Sequence, residues 1–383
     1  MHTIKDEDIK LKKIKVLQFP LSSSFGGVTH YVLNVWKQID KKRFDFDFLT
    51  FSKELFFEEE LTKAGSRVFH LSCYPQENLS VFKKEFVNIL ENNYDIIELH
   101  TSYWKNTFME EIIRQTCRSK IIVHAHATDI APKPLDAGIY GQCVKQHLSI
   151  RNHLKADLID VKLACSEDAA KWLFGTAQNV NIINNFIDIN EYKFNIYERN
   201  KKRKMLNLQN KFVIGMVGRY ELEKNHFFLI EIVSKIKNYI EDFMILIIGD
   251  GSQKDNIKSE IYSRNLQKYF LLIDTVNDTS AWYSAMDLFV LPSTNEAFGL
   301  VLLEAQSNGL PCLCSSVIPQ IVINEQFSKR ISLDDIEEWI DSILFCYKKK
   351  DNYKKRNVLI DYSEFDANYV IKKIQKLYEE MIL

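Results

Sequence analysis

Short apolar runs alternate along this chain with longer stretches in which apolar residues recur every three or four positions. In the first half the runs Ile14–Phe19, Phe46–Phe51, Arg67–Leu71, Ile96–Leu99, Ile121–His124, Leu163–Ala164 and Val180–Ile183 predict strands. Helical periodicity lies between them at His30–Gln38, Glu58–Ala64, Leu79–Glu91 and Thr107–Thr116. The scheme restarts with strands at Phe212–Val217, Met244–Ile248, Tyr269–Leu272, Leu288–Leu291 and Pro311–Cys314, separated by helices at His226–Asn238, Ser252–Asn265, Ser280–Met286 and Leu300–Ser307. Strands alternating with helices predict parallel sheets with right-handed crossovers. Two such runs in one chain predict an α/β protein of two doubly wound, Rossmann-like domains facing each other.

The weakly periodic, Asn- and Lys-rich stretch before Phe212 marks the boundary. The expected division is an N-terminal domain over 1–190, a linker over 191–211, a C-terminal domain over 212–363, and a closing helix over 364–383 that crosses back to the first domain. Val370, Ile371, Ile374, Leu377 and Tyr378 form the apolar face of that last helix.

Composition narrows the class. The chain has 383 residues, 46% hydrophobic and 26% charged, as in ordinary globular proteins. A formal net charge of -1 gives no general field for nucleic acid, and none is expected as a partner. Met1–Lys15 lacks the apolar core of a signal peptide, and no apolar run reaches the ~20 residues of a membrane span. The seven cysteines show no zinc-ligand spacing, and Cys312 and Cys314 read as buried packing on one strand face. A reducing cytoplasm is therefore expected. The runs Lys201–Lys204, Lys348–Lys350 and Lys354–Arg356 read as solvated faces, with peripheral contact at the inner, anionic membrane surface as the alternative.

Ligands of open α/β sheets bind beyond the carboxyl ends of the strands, and the chemistry-bearing segments follow strands. The stretch Pro292–Ala305 sets Glu296 before a helix and Glu304 inside it. The amides of Phe298, Gly299 and Leu300 at that helix start are free to hold an anion such as a diphosphate. The two carboxylates are placed to hydrogen-bond the hydroxyls of a sugar and a ribose; a helix cap followed by an amphipathic helix with one surface Glu is the alternative. Arg219 and Lys224 flank the turn after Phe212–Val217, where two cations can neutralise a diphosphate; a surface salt bridge to Glu221 or Glu223 is the alternative. Gly26 and Gly27 sit at the first strand-to-helix turn, where a ligand can approach the backbone or a plain tight turn suffices. His100, His124 and His126 end two strands; a cleft role at a sugar hydroxyl, a structural role and a metal site all remain open. Gly249–Ser252 reads as a tight turn with Ser252 as cap.

Taken together these segments resemble a retaining glycosyltransferase of family 4, the two-Rossmann GT-B class. The likeness spans nearly the whole chain: Phe25–Val28, His126–Asp129, Ala164–Ser166, Ile183–Asp188, Gly218–Arg219 with Glu223–Asn225, Gly249–Gly251, and the two glutamates of Glu296–Glu304. Ala164–Gly175 and Leu303–Gln306 with Gly309–Cys312 are similar to the subgroup of bacterial exopolysaccharide and capsule assembly.

The resemblance implies that Arg219, Lys224 and the helix start hold the donor diphosphate, that Glu304 holds the ribose, and that Glu296 contacts the transferred sugar. Gly27 leaves room for the donor, and His126 lies beside the sugar. It implies a nucleotide-sugar donor, a glycan or lipid-linked acceptor, and neither cofactor nor metal. The usual Asn-Gly-Ile-Asp is Asn185-Phe186-Ile187-Asp188 here, which is expected to change the hinge or the cleft wall. Ser315–Gln320 replaces the usual Gly-rich loop. A sugar-nucleotide epimerase and a non-catalytic partner protein share this fold and are the competing readings.

Overall fold

The computed structural model describes residues 12–23, 26–130, 136–276, 278–350, 356 and 363–383. Ser24 and Phe25 of the first glycine turn, and the basic run Lys354–Arg356 apart from Arg356, lie outside them. The chain divides into two units, Met1–Asn184 with Asn368–Leu383, and Asn185–Ala367.

The first unit holds β1 (Ile14–Leu21), β2 (Phe44–Thr50), β3 (Val68–His70), β4 (Ile96–Thr101), β5 (Lys120–Ala125), β6 (Val161–Ala164) and β7 (Asn181–Ile182). They form a seven-stranded sheet in the order β3-β2-β1-β4-β5-β6-β7, with parallel pairing. The order reverses between β1 and β4, so their carboxyl ends diverge around a crevice. Leu17, Ile97, Ile121 and Val123 on the sheet pack against Phe82, Phe86, Ile112 and Ile113 of its helices. The closing helix Ala367–Ile382 is held to this unit by Tyr378, 1% exposed, whose hydroxyl donates to Glu98 of β4. An Arg43–Glu379 ion pair adds a second tie.

The second unit holds β8 (Phe212–Val217), β9 (Phe243–Ile248), β10 (Phe270–Ile273), β11 (Leu288–Leu291), β12 (Cys312–Ser315) and β13 (Ser328–Ile331). Its six-stranded parallel sheet runs β10-β9-β8-β11-β12-β13, reversing between β8 and β11. Alternation along the strands feeds two cores. Ile214, Met216, Ile245 and Ile247 join Leu229, Val233 and Trp339 on one face, while Val213, Val217, Leu246 and Ile248 join Leu302, Leu303 and Phe298 on the other. The strands are apolar throughout because both faces are covered.

The segment 191–211, read as a linker, contains the helix Ile196–Met205. Two of its basic residues are not on a solvated face. Arg199 and Arg203 are buried, and both bond Asp287, at 2.5 and 2.9 Å. An acid fixed at the head of β11 turns Arg203 of this run inward, while Lys201 and Lys204 stay exposed, and folds the segment into the second unit. Helix Ala137–Asn152 has no counterpart in the hydrophobic pattern, because His147 is its only buried residue and no apolar stripe marks it. Asp47 of the Asp45-Phe46-Asp47 pair binds the Arg67 guanidinium and the Tyr94 hydroxyl. Phe186 is buried, 2% exposed.

Candidate active site

Two loops meet at the reversal point of the second sheet. One follows β8 and carries Arg219 and Lys224; the other follows β11 and carries Glu296. β8 and β11 are paired neighbours, Leu288 beside Ile214, so these loops leave the sheet side by side. Lys224 Nζ donates to Glu296 Oε2 at 2.5 Å, and the Thr294 amide donates to the Glu223 carbonyl at 2.8 Å. Arg219 is paired with Glu223 at 3.1 Å and is 42% exposed, while Lys224 and Glu296 are 14% and 15% exposed. Glu221 turns elsewhere, accepting from the Ser252 amide and hydroxyl. Ser252 therefore does not cap the helix Lys254–Ser263, whose N-cap is Gln253.

Glu296 leads into the helix Leu300–Ser307, whose N-cap Gly299 has φ +93°. That left-handed turn favours glycine, since a β-carbon would strain the backbone there, and it aims the chain into the helix. The amides of Phe298, Gly299 and Leu300 have no acceptor among the described residues. The helix end thus offers N–H donors next to the Lys224–Glu296 pair, an arrangement that attracts an anion. Phe298 is buried at 2% exposure and anchors the turn in the core.

Glu304 is 5% exposed and accepts from the Tyr283 hydroxyl at 2.6 Å. Burial pushes its pKa up to about 7, while hydrogen bonds from Tyr283, Tyr192 and Thr279 pull it down. Its carboxylate is therefore poised to change charge near neutrality.

In the first unit, Gly26 caps and Gly27 begins the helix Gly27–Gln38 after β1. A β-carbon at either position meets nothing within 4 Å, so the open space above this turn, and not a strained backbone, is what these glycines provide. His126 follows β5. Its Nε2 lies 2.9 Å from His100 Nδ1 at the end of β4. With His124 these histidines bring one nitrogen each within 4.8 Å of one another, a set able to hold a metal ion. Burial drives the pKa values of His100 and His126 well below the ordinary range and that of His124 to about 3, so all three are neutral at pH 7.

Of the two salt-bridge partners named from the sequence, Glu223 holds Arg219. Sequence reasoning missed the other partners: Tyr283 holds Glu304, and Gln18 and Glu98 support the histidines. Glu98 left one signal, a carboxylate inside the otherwise apolar Ile96-Ile97-Glu98-Leu99 and two positions from His100 on the same strand face. Tyr283 left none, because its contact with Glu304 depends on how two helices pack.

Residues 198–364 match the family model for glycosyl transferases group 1. Putative glycosyltransferase EpsF of Bacillus subtilis (strain 168) is 27% identical over 339 residues, 86% of each chain. The chain has the GT-B fold, and its second unit is similar to the glycosyl transferases of group 1. The UDP-Gal:alpha-D-GlcNAc-diphosphoundecaprenol alpha-1,3-galactosyltransferase of Escherichia coli is 26% identical, covering 97% of this chain and 98% of that one. Among solved structures, HepE of Anabaena in complex with UDP and glucose shares the fold with a TM-score of 0.77 and 19% identity, covering 96% of this chain and 99% of that one. No helix among the described residues is long and apolar enough to cross a membrane.

Proposed function

We infer that this protein is a glycosyltransferase that moves a sugar from a nucleotide diphosphate donor, a UDP-hexose or UDP-N-acetylhexosamine, to a glycan or lipid-linked acceptor in cell-surface polysaccharide synthesis, with retention of configuration and without a metal. The observation that carries this reading is the junction of Lys224, Glu296 and the free helix amides at Phe298–Leu300, on the carboxyl side of β8 and β11. It supplies fixed positive potential where diphosphate charge grows as the glycosidic bond breaks. Arg219 adds a solvent-reached guanidinium that can exchange Glu223 for a phosphate oxygen. Glu304 takes the ribose hydroxyls, and Glu296 and His126 contact the transferred sugar. The acceptor hydroxyl attacks the anomeric carbon on the face the diphosphate leaves, and the departing phosphate oxygen takes its proton. No protein nucleophile is needed.

Support for the donor and acceptor classes comes from the relatives: HepE is seen with UDP and glucose, and the Escherichia coli relative is named for UDP-galactose and a lipid diphosphate acceptor. An acceptor in a lipid would bring the protein to the inner face of the membrane.

The test is a thermal-shift panel of UDP-, GDP- and dTDP-sugars, since a ligand bound by the folded state raises apparent stability. Transfer to a synthetic polyprenyl-diphosphate sugar follows, with the product anomer read by NMR. Stabilisation by UDP-sugars and an α-linked product from an α-donor are expected. An inverted product rules out retention. Conversion of the donor sugar in the absence of acceptor makes the protein an epimerase.

A further inference from the structure

We propose that the first unit contains a hydrogen-bond relay, Tyr378–Glu98–Gln18–His100–His126, that fixes His126 as the tautomer with its proton on Nε2 and a lone pair on Nδ1. Toward a sugar hydroxyl that reaches Nδ1, His126 is then an acceptor and not a proton donor. This rests on the sugar-transfer reading for the hydroxyl, but not for the tautomer.

The chain of donors can be followed atom by atom. A carboxylate only accepts. Glu98 receives the Tyr378 hydroxyl and the His124 Nδ1–H, the latter at 2.9 Å, and it faces Gln18 Nε2 at 3.2 Å. The Gln18 amide nitrogen also lies 3.1 Å from the Tyr378 oxygen. Both neighbours therefore orient the Gln18 amide with its NH2 toward Glu98, which turns Oε1 toward His100. Oε1 lies 2.6 Å from His100 Nε2, so that nitrogen carries the hydrogen. A neutral imidazole has one donor and one acceptor. His100 Nδ1 is then a lone pair, and His126 Nε2, 2.9 Å away, must donate to it. His126 is left with an unprotonated Nδ1, which has no partner among the described residues.

Burial keeps the relay single-valued. Gln18, Glu98, His100 and Tyr378 are at most 5% exposed, so water does not scramble the donors. A sugar hydroxyl is both donor and acceptor, and against this tautomer it is read as a donor. Gln18, Glu98, His100 and Tyr378 are positioning residues. Tyr378 reaches the relay from the closing helix, which ties the last segment of the chain to a loop end of the first sheet.

The same three histidines could instead hold a metal ion, and the two possibilities exclude each other: coordination through His100 Nδ1 and His126 Nε2 would consume the lone pair and the proton that form their hydrogen bond.

The experiment is 15N NMR of histidine-labelled protein at pH 7, with His126 assigned by its loss in His126→Gln. The relay requires a pyridine-type Nδ1 and a pyrrole-type Nε2 for His126 in the unaltered protein. In Gln18→Leu the acceptor that holds the His100 Nε2 proton is gone. His100 is then free to carry its proton on Nδ1, and the two His126 resonances lose their distinct pyridine and pyrrole character. Tyr378→Phe keeps the ring and removes one orienting bond, so it serves where Gln18→Leu fails to fold; a partial loss is expected. With a sugar nucleotide and acceptor, Gln18→Leu lowers kcat by roughly tenfold, about one hydrogen bond, and leaves UDP affinity unchanged.

A pyrrole-type Nδ1 in the native protein overturns the relay. So does one equivalent of zinc bound by the native protein with loss of the His126 Nε2 proton. Native tautomers as assigned, in a protein inert toward every nucleotide sugar, would instead sink the transfer reading and leave the relay standing.

Discussion

Lys224 and Glu296 lie 72 positions apart in sequence and 2.5 Å apart in the fold. Both are mostly shielded, so neither charge is neutralised by water alone. A diphosphate arriving at the helix start would share Lys224 with Glu296 and release part of that carboxylate to a sugar hydroxyl. Lys224→Ala is expected to lower kcat/KM by about 10²–10³, the usual cost of removing a group aimed at developing charge. Glu296→Gln keeps the shape and should lose less in UDP binding than in turnover. Steady-state kinetics with UDP inhibition constants check both. Equal losses in binding and turnover would place Glu296 outside the reacting region.

Arg219 offers a cleaner separation of stability from chemistry. Its pair with Glu223 is solvent-exposed, and such pairs are worth ~0–1 kcal/mol. Arg219→Ala should therefore unfold within a degree or two of the native protein, about the shift expected for so small a change. Turnover should fall by orders of magnitude. Full transfer activity in the folded variant removes Arg219 from the mechanism.

Glu304 gives the protein a pH signature. Its folded pKa, about 7, lies above the ordinary value of 4.5. The folded state holds the proton that the unfolded state has released, so this contribution is fully present below about 4.5 and is lost as pH rises through about 7. Thermal unfolding between pH 5 and pH 8 should show stability falling with pH, and Glu304→Gln should flatten that slope. UDP binding should run the opposite way if the ionised carboxylate is what accepts the ribose hydroxyls, strengthening as pH passes 7. An unchanged slope in Glu304→Gln would show that Glu304 does not titrate there.

Asp287 organises the second unit. It receives the guanidinium groups of Arg199 and Arg203 and the Val213 amide, and its side chain is 4% exposed. Asp287→Ala would leave two buried cations facing each other, at a cost of about 3–5 kcal/mol. Denaturant unfolding monitors the loss. A cost below 1 kcal/mol would mean that water replaces the carboxylate.

Gly249 closes the turn after β9 at φ +150°, and a β-carbon there would sit 2.0 Å from the Gly218 carbonyl oxygen. Gly249→Ala should destabilise by at least the ~1–3 kcal/mol of an overpacked core. It should also displace the Gly218–Arg219 turn, so that UDP binding weakens with stability. Native stability in this variant would show that the turn has slack.

Much of this was legible without coordinates. Parallel strands covered on both faces must be apolar throughout, so Phe212–Val217 and Leu288–Leu291 announced themselves. Ligands of such sheets bind past strand ends, so Arg219, Lys224, Glu296 and the helix start could be named as candidates from their offsets. Gly299 before Leu300 marked a helix entrance because only glycine turns that corner freely. Sequence pattern failed where burial was polar. The helix Ala137–Asn152 has no apolar stripe to find, and the basic run at Lys201–Lys204 looks solvated until Asp287 is seen to bury Arg203.

The amino-acid order alone settled that the chain makes two α/β sheets and which loops carry charge, because periodicity and glycine placement are local properties. Pairings were decided only by the tertiary structure. Lys224 meets Glu296, Tyr283 meets Glu304, and Tyr378 meets Glu98 because β8 adjoins β11, because two helices pack together, and because the last helix returns to the first unit. Those contacts join residues far apart in sequence, and their energies depend on a desolvated environment that no local pattern encodes.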